Sequence, residues 1–178
     1  MIGFGLIIPI LPKLAVDFNI TGIKLGLLLA SYSFAQFFAA PYMGKLSDRH
    51  GRRPVLLISK FGTVIAYVIF AYAKVYWLII ISRLIDGFTG GNIPAARAYI
   101  SDITKDHNRH KGMALIGVAY GLGYIIGPVI GGVLFGLTHD KTVPALAGAL
   151  LCLFSFILTY LFLKEGHRRG RERFNCQF

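Results

Sequence analysis

The sequence predicts an all-α integral membrane protein in which six transmembrane helices form a bundle. Of its 178 residues, 55% are hydrophobic and the mean hydropathy is +0.62, which is too apolar for a soluble domain. Polar residues collect in short segments between apolar stretches, and these stretches approach the ~20 residues that cross a bilayer. The net charge of +11 would suggest nucleic acid in a soluble protein. Here the cations border the spans, so the expected partner is a lipid bilayer and not nucleic acid.

The first two helices are expected over residues 1–16 and 25–44. The first is short for a complete span unless upstream sequence is missing, and Pro9 and Pro12 are expected to bend it. In the second helix, Gln36 lies among aromatic residues. It is therefore a candidate for lining a cavity that binds a small amphiphilic organic molecule.

A dense polar turn over residues 44–57 leads into the third helix, which is expected over residues 54–73. Gly51 suits a backbone turn with positive φ, and Pro54 can begin a helix, where its missing N–H breaks no bond. The pattern Gly-x-Leu-x-Asp-Arg-x-Gly-Arg-Arg is more specific than a run of charge. The alternative interpretation is a basic loop that only fixes orientation. Lys60, inside the third helix, is expected to extend its stem to the lipid headgroups.

The fourth helix is expected over residues 75–101 and carries charge within apolar sequence of membrane length. Arg83 and Asp86 stand three residues apart, so their side chains share one face. A lone charge near the bilayer centre costs about 2.5–3.5 kcal/mol on insertion scales, so this face is expected to line a polar cleft. In such a cleft the pair is expected to bind substrate or a proton. The alternative is that the two ions satisfy each other as a structural pair. Asn92 is a further candidate for the cavity wall.

The fifth helix is expected over residues 112–137 and is rich in glycine. Gly123, Gly127 and Gly131 are spaced by four residues, which places them in one stripe that a second helix can approach closely. Pro128 should add a bend. The glycine spacing is not that of a dinucleotide-binding loop, and no strand precedes it. A generic packing face would explain these glycines but not their arrangement around Gly127 and Pro128.

The sixth helix is expected over residues 143–163, and residues 164–178 are expected to form a basic cytoplasmic tail or the start of a central loop. If the N-terminus is inside, the inner segments hold fourteen cations and the outer segments four. This imbalance favours an orientation with both termini in the cytoplasm. The expected location is the inner or plasma membrane. The inner cations are Lys45, Arg49, Arg52, Arg53, Lys60, Arg97, Lys105, Arg109, Lys111, Lys164, Arg168, Arg169, Arg171 and Arg173. The outer cations are Lys13, Lys24, Lys74 and Lys141.

Four segments in this order resemble motifs of the major facilitator superfamily, and specifically of its drug/proton antiporter branch: residues 3–12, 44–57, 83–91 and 123–132. The resemblance covers nearly the whole chain. It implies the N-terminal six-helix half of a twelve-helix exporter that drives efflux of drugs or other small amphiphilic molecules with the proton gradient. It also implies no bound cofactor, and a C-terminal half or a second copy of the chain as partner.

The resemblance assigns roles to three groups of residues. The first is a conformational-switch motif at the inner surface, for which a plain salt bridge is the alternative: Gly44, Asp48, Arg49, Gly51, Arg52, Arg53 and Asp102. The second group belongs to the motif at residues 83–91, in which the arginine, here Arg83, is implicated in proton coupling. Asp86 stands where that motif often has Gln. The third is the antiporter motif of the fifth helix: Gly123, Gly127, Pro128, Gly131 and Gly132. Ala66 stands where tetracycline exporters carry an acidic residue, so the resemblance does not imply tetracycline itself.

A second function class stays open at this point, which is a non-transporting remnant or a regulatory six-helix bundle. An enzyme is not expected, because no helix carries paired aspartates or a Ser/His constellation. No metal site is expected either, because His50, His107 and His110 lack metal-ligand spacing.

Overall fold

The computed structural model describes residues 2–10, 14, 16, 18, 20–104 and 106–163, and this part of the chain is helical without any strand. The predicted tail over residues 164–178 and part of the predicted first helix lie outside the described residues. The helices are α1 (Ile2–Ile7), α2 (Gly22–His50), α3 (Arg52–Tyr72), α4 (Tyr76–Gly90), α5 (Ile93–Ile103), α6 (Arg109–Thr138) and α7 (Thr142–Phe162). Short 3₁₀ turns cover Ile8–Ile10 and Asp106–Asn108.

The helices pack as a bundle in which α3 lies between α4 and α7. Helix α2 runs along α4, and α1 lies against α6 and α7. Helix α5 contacts α2, α3 and α6, and the ion pair between Asp102 and Arg52 places its end at the end of the bundle near Gly51. The hydrophobic core lies towards the other end, where α3 ends and α4 and α7 begin, and it includes Tyr67, Phe70, Ile79 and Ala145.

The exterior of the bundle is apolar. Large side chains such as Phe37, Leu122 and Phe154 are more than half exposed on α2, α6 and α7. Within the described part of the chain, four helices are long and apolar enough to cross a membrane: α2, α3, α6 and α7. A surface of this kind is stable in contact with lipid tails but not with water.

The polar turn between the second and third spans is shorter than predicted. Helix α2 continues through Lys45, Asp48 and Arg49 and stops only at Gly51, whose φ is 101°. This conformation is costly for residues with a Cβ atom, so the glycine ends the helix. Pro54 then lies in the first turn of α3, where no backbone N–H is needed. Most of the charged motif is therefore a helix end and not a loop.

The fourth predicted helix is not continuous, and the expectation of one helix over residues 75–101 was wrong at its centre. Helix α4 ends at Gly90, residues 91 and 92 form a turn, and α5 starts at Ile93. Pro94 has no N–H with which to bond the carbonyl of Gly90, four residues earlier, and glycine adds backbone freedom. The two pieces have 15 and 11 residues, so neither alone has the length of a span.

Candidate functional site

Three charged residues meet at the end of the bundle near Gly51. The Nε atom of Arg52 donates a hydrogen bond to Oδ2 of Asp102 over 3.2 Å. Its Nη1 atom forms an ion pair with Asp48 and donates to Oγ of Ser47 over 3.3 Å. One guanidinium thus joins the end of α2, the start of α3 and the end of α5. All three residues belong to the switch motif of the sequence analysis, and the Asp48 side chain keeps 65% exposure.

The remaining residues of the switch motif surround this charge cluster. Arg53 donates from Nη2 to the carbonyl of Tyr160 over 2.9 Å, which satisfies an orphan carbonyl in the last turn of α7. Gly44 faces α5, where a Cβ atom would lie 3.8 Å from Cβ of Pro94. Arg49 is exposed in the last turn of α2. The motif therefore connects the ends of α2, α3, α5 and α7 that lie near Gly51.

Arg83 and Asp86 form an ion pair inside the bundle. Nη1 of Arg83 lies 3.2 Å from Oδ2 of Asp86, and the two residues are only 4% and 5% exposed. The guanidinium carbon lies 4.6 Å from the ring centre of Phe70 and 5.3 Å from that of Tyr67. The expectation that this pair lines an open cleft was wrong for the described structure, because rings of α3 cover the guanidinium.

The electrostatics of this pair are those of a desolvated site. Removing two charges from water costs several kcal/mol per ion, and their attraction only partly repays this. The two aromatic faces add cation–π attraction that strengthens when the cation is desolvated. Nε and Nη2 of Arg83 are buried and have no hydrogen-bond partner in the described part of the chain. Arg83 is therefore held by Asp86 and by the two aromatic rings, and a change of charge on Asp86 would disturb this arrangement.

Gln36 lies on the wall of an open cavity of about 550 Å³ along α2. The other residues on this wall are Ser33, Phe37, Phe38, Ala40 and Pro41. Nε2 of Gln36 also donates to the carbonyl of Gly90 over 3.2 Å. Asn92 is not part of this wall; it lies in the turn between α4 and α5, where its carbonyl accepts the N–H of Ala96. Of the two residues that the sequence analysis named for one cavity, Gln36 lies on this wall, whereas Asn92 lies two residues after the Gly90 carbonyl that Gln36 binds.

The glycine stripe of α6, which is the predicted fifth helix, faces α1. Gly123, Gly127 and Gly131 are buried. A Cβ atom at Gly131 would lie 2.6 Å from the carbonyl oxygen of Leu6, which shows how closely the backbones approach. Pro128 belongs to the same contact, since a Cβ atom on Gly5 would lie 2.8 Å from its Cδ.

Gly132 lies outside this contact. Apart from its chain neighbours and the nearby backbone of its own helix, no described heavy atom lies within 4 Å of the place that its Cβ would occupy. The motif therefore divides into a packed stripe and one glycine that points away from it.

Two polar residues of α3 have partners that the sequence analysis did not predict. Ser59 is fully buried and donates from Oγ to the carbonyl of Thr89 in α4. Lys60 does not extend to headgroups as predicted, because its Nζ donates to Oγ of Ser155 on α7. A serine inside the apolar sixth span was the signal that a partner exists there. No cluster of metal-binding side chains occurs in the described ranges.

Residues 1–175 match the sequence profile of the Major Facilitator Superfamily. The chain belongs to this superfamily. Its curated relatives include the class G tetracycline resistance protein of Vibrio anguillarum, 41% identical over 169 residues, or 93% of this chain and 42% of the relative. The class C tetracycline resistance protein of Escherichia coli is 39% identical over 174 residues, or 96% of this chain and 43% of the relative.

A solved structure agrees with the family assignment. The crystal structure of the human organic anion transporter MFSD10 (TETRAN) superimposes with a TM-score of 0.82 at 27% identity, covering 93% of this chain and 44% of that one. This superfamily chain therefore spans somewhat under half the length of the relatives that it matches. The prediction of a multi-pass membrane protein with the fold of half a transporter is confirmed.

Proposed function

We propose that this chain is the N-terminal half of a secondary transporter that exports small amphiphilic organic molecules in exchange for protons. The observation that carries the proposal is the Arg83–Asp86 pair, because an ionisable carboxylate buried in a membrane-spanning segment marks an ion or substrate pathway. The names of the relatives support the substrate class, since tetracyclines and organic anions are both organic molecules with apolar and polar parts.

In this proposal Asp86 is the proton-binding group. A proton on its carboxyl removes the charge that holds the guanidinium of Arg83 at 3.2 Å. Arg83 is then held mainly by the rings of Tyr67 and Phe70. Loss of the proton restores the ion pair. The pair thus offers two arrangements that differ by one proton, which is what coupling to a proton gradient requires.

The charge cluster at the inner end supplies the conformational part of the proposal. Arg52 joins three helix ends, and Asp48 remains exposed to a further partner. Ionic contacts of this kind break and reform when one rigid unit rocks against another. The second unit is the C-terminal half or a second copy of the chain, with the substrate site between them near the middle of the membrane. The proposal places the protein in the plasma or inner membrane, and the excess of cations on one side of the predicted spans supports cytoplasmic termini.

Transport by inverted membrane vesicles tests the proposal. The chain is expressed in Escherichia coli with the C-terminal half of the class G tetracycline resistance protein as a separate polypeptide, and tetracycline uptake is followed. We expect uptake that a protonophore abolishes and that Asp86→Asn uncouples from the proton gradient. The matched control is Asp140→Asn, which changes a carboxylate at the outer end of α7 and should leave uptake unchanged.

The opposite outcome would identify a non-transporting membrane bundle. It consists of correctly inserted chain, verified by protease protection, that gives no proton-dependent flux with or without the supplied half. Equal flux in Asp86→Asn and the unsubstituted chain would instead refute the assignment of Asp86 as the proton-binding group.

A further inference from the structure

The break between α4 and α5 leaves backbone carbonyls that side chains of two other helices bind. Pro94 cannot donate to the carbonyl of Gly90, and Nε2 of Gln36 takes that place over 3.2 Å. On the other side, Oγ of Ser59 donates to the carbonyl of Thr89, directly before Gly90. An unpaired carbonyl inside a membrane costs several kcal/mol. Both side chains therefore stabilise the broken conformation itself.

The break is also clamped by close backbone packing. A Cβ atom on Gly91 would lie 2.8 Å from Cβ of Ala39 and 3.0 Å from its carbonyl carbon, so α2 touches the turn directly. Ser59 is fully buried. Gln36 is half-buried and borders the open cavity along α2. Of the two side chains, Gln36 is thus the one that can exchange its backbone partner for another group.

Helices α4 and α5, which together make up the fourth span, carry different charged sites. Helix α4 holds the buried pair of Arg83 and Asp86, whereas α5 holds Asp102, which Arg52 binds at the inner surface. Helix α4 and helix α5 are joined only by the turn at residues 91 and 92. The angle at this turn therefore sets the position of the buried pair relative to the inner charge cluster.

We propose that Gln36 is a positioning residue that latches the break in the fourth span. Its hydrogen bond to Gly90, assisted by that of Ser59 to Thr89, fixes the angle between α4 and α5. Release of the latch lets the two charged sites move independently. The proposal deepens the transport function and rests on it for its consequence, but the latch can be measured without any transport.

Hydrogen–deuterium exchange of the full chain in lipid nanodiscs tests the latch. We expect Gln36→Met, which keeps the side-chain length and removes the donor, to accelerate exchange of peptides covering residues 88–98. The expected increase is about fivefold, corresponding to about 1 kcal/mol for one net hydrogen bond. Ser33→Ala is the matched control, because Ser33 lies on the same cavity wall and its side chain is exposed. It should exchange like the unsubstituted chain.

A second variant separates the latch from general loosening. Pro94→Ala restores an N–H four residues after Gly90, so the carbonyl no longer depends on Gln36. In this background we expect Gln36→Met to have no effect on exchange. Ser59→Ala in the otherwise unsubstituted chain should accelerate the same peptides as Gln36→Met, and it keeps the idea testable if Pro94→Ala fails to fold.

Spin-label distances provide the positional readout. Labels are placed at Trp77 on α4 and Arg97 on α5, both exposed, for which an unbroken helix would set an upper limit of about 30 Å between the two backbone positions. We expect Gln36→Met to broaden this distance distribution while the melting temperature stays close to that of the control. Unchanged exchange in Gln36→Met, an equal increase in Ser33→Ala, or an increase that persists with Pro94→Ala would each overturn the latch. Loss of transport alone, with the latch intact, would count only against the proposed function.

Discussion

Gly131→Ala tests the packing of the fifth span against the first most directly. The added Cβ atom would lie 2.6 Å from the carbonyl oxygen of Leu6, 2.9 Å from its Cα and 3.0 Å from Cγ of Pro9. Two of these atoms are backbone, so no side-chain rotation relieves the contact. Gly132→Ala is the matched control, because it makes the same chemical change one residue later and meets no described heavy atom within 4 Å.

The magnitude follows from two opposing terms. Alanine favours a helix over glycine by roughly 1 kcal/mol, and both variants gain this term. Only Gly131→Ala must also move α1 away, because ordinary contacts begin near 3.4 Å. Overpacking of this kind typically costs about 1–3 kcal/mol. The difference between the two variants should therefore be about 1–3 kcal/mol, or about 2–12 °C in melting temperature for a chain of this size.

Thermal unfolding of the purified chain in detergent, followed by helical circular dichroism, measures this difference. We expect Gly131→Ala to melt below Gly132→Ala, and Gly132→Ala to melt at or above the unsubstituted chain. Equal melting temperatures for the two variants would refute the close approach of α1 to the glycine stripe. Gly127→Leu should be more severe, because the larger side chain enters the same buried stripe.

Three further predictions concern the charged residues. Arg83→Ala should destabilise the chain by about 3–5 kcal/mol because it leaves Asp86 buried and unpaired, and the double variant with Asp86→Ala should recover part of the loss in chemical unfolding. Arg52→Ala should cost only about 0.2–1 kcal/mol per partly exposed ion pair, and Asp102→Asn should add little in that background, as a double-mutant cycle would measure. Lys60→Met should leave the melting temperature close to that of the unsubstituted chain or raise it, because methionine fills the space without burying a cation. A marked fall in melting temperature would contradict this prediction, because it would mean that the hydrogen bond between Lys60 and Ser155 is stronger than an ordinary one.

The part of the fold that is local in the chain was predictable from sequence. Apolar stretches of membrane length and polar segments between them mark helices and their connections because lipid excludes unpaired backbone groups. The positive φ at Gly51 was predictable for the same local reason, since few residues other than glycine adopt that conformation at low cost. The grouping of Asp48, Arg52 and Asp102 came from the family resemblance, and the structure places the three in contact.

The break after Gly90 also had a local signal in the sequence, which the sequence analysis did not use. Pro94 and the glycine pair before it indicate the end of a helix. The apolar character of the whole stretch favoured one continuous span instead. A helix break inside a membrane is stable only when other helices bind the freed carbonyls, and Gln36 and Ser59 are too distant in sequence to suggest that they do so.

The sequence by itself determined which segments are apolar enough to cross a membrane, which glycines share a stripe and which charges lie on one helix face. Only the tertiary structure decided what each face meets: aromatic rings around Arg83, Ser155 beside Lys60, α1 against Gly131 and open space beside Gly132. The physical reason is that hydropathy and spacing fix the position of a side chain along its helix and around its axis. Its partner depends on how separate helices rotate and pack, and that packing is set by contacts between residues far apart in the chain.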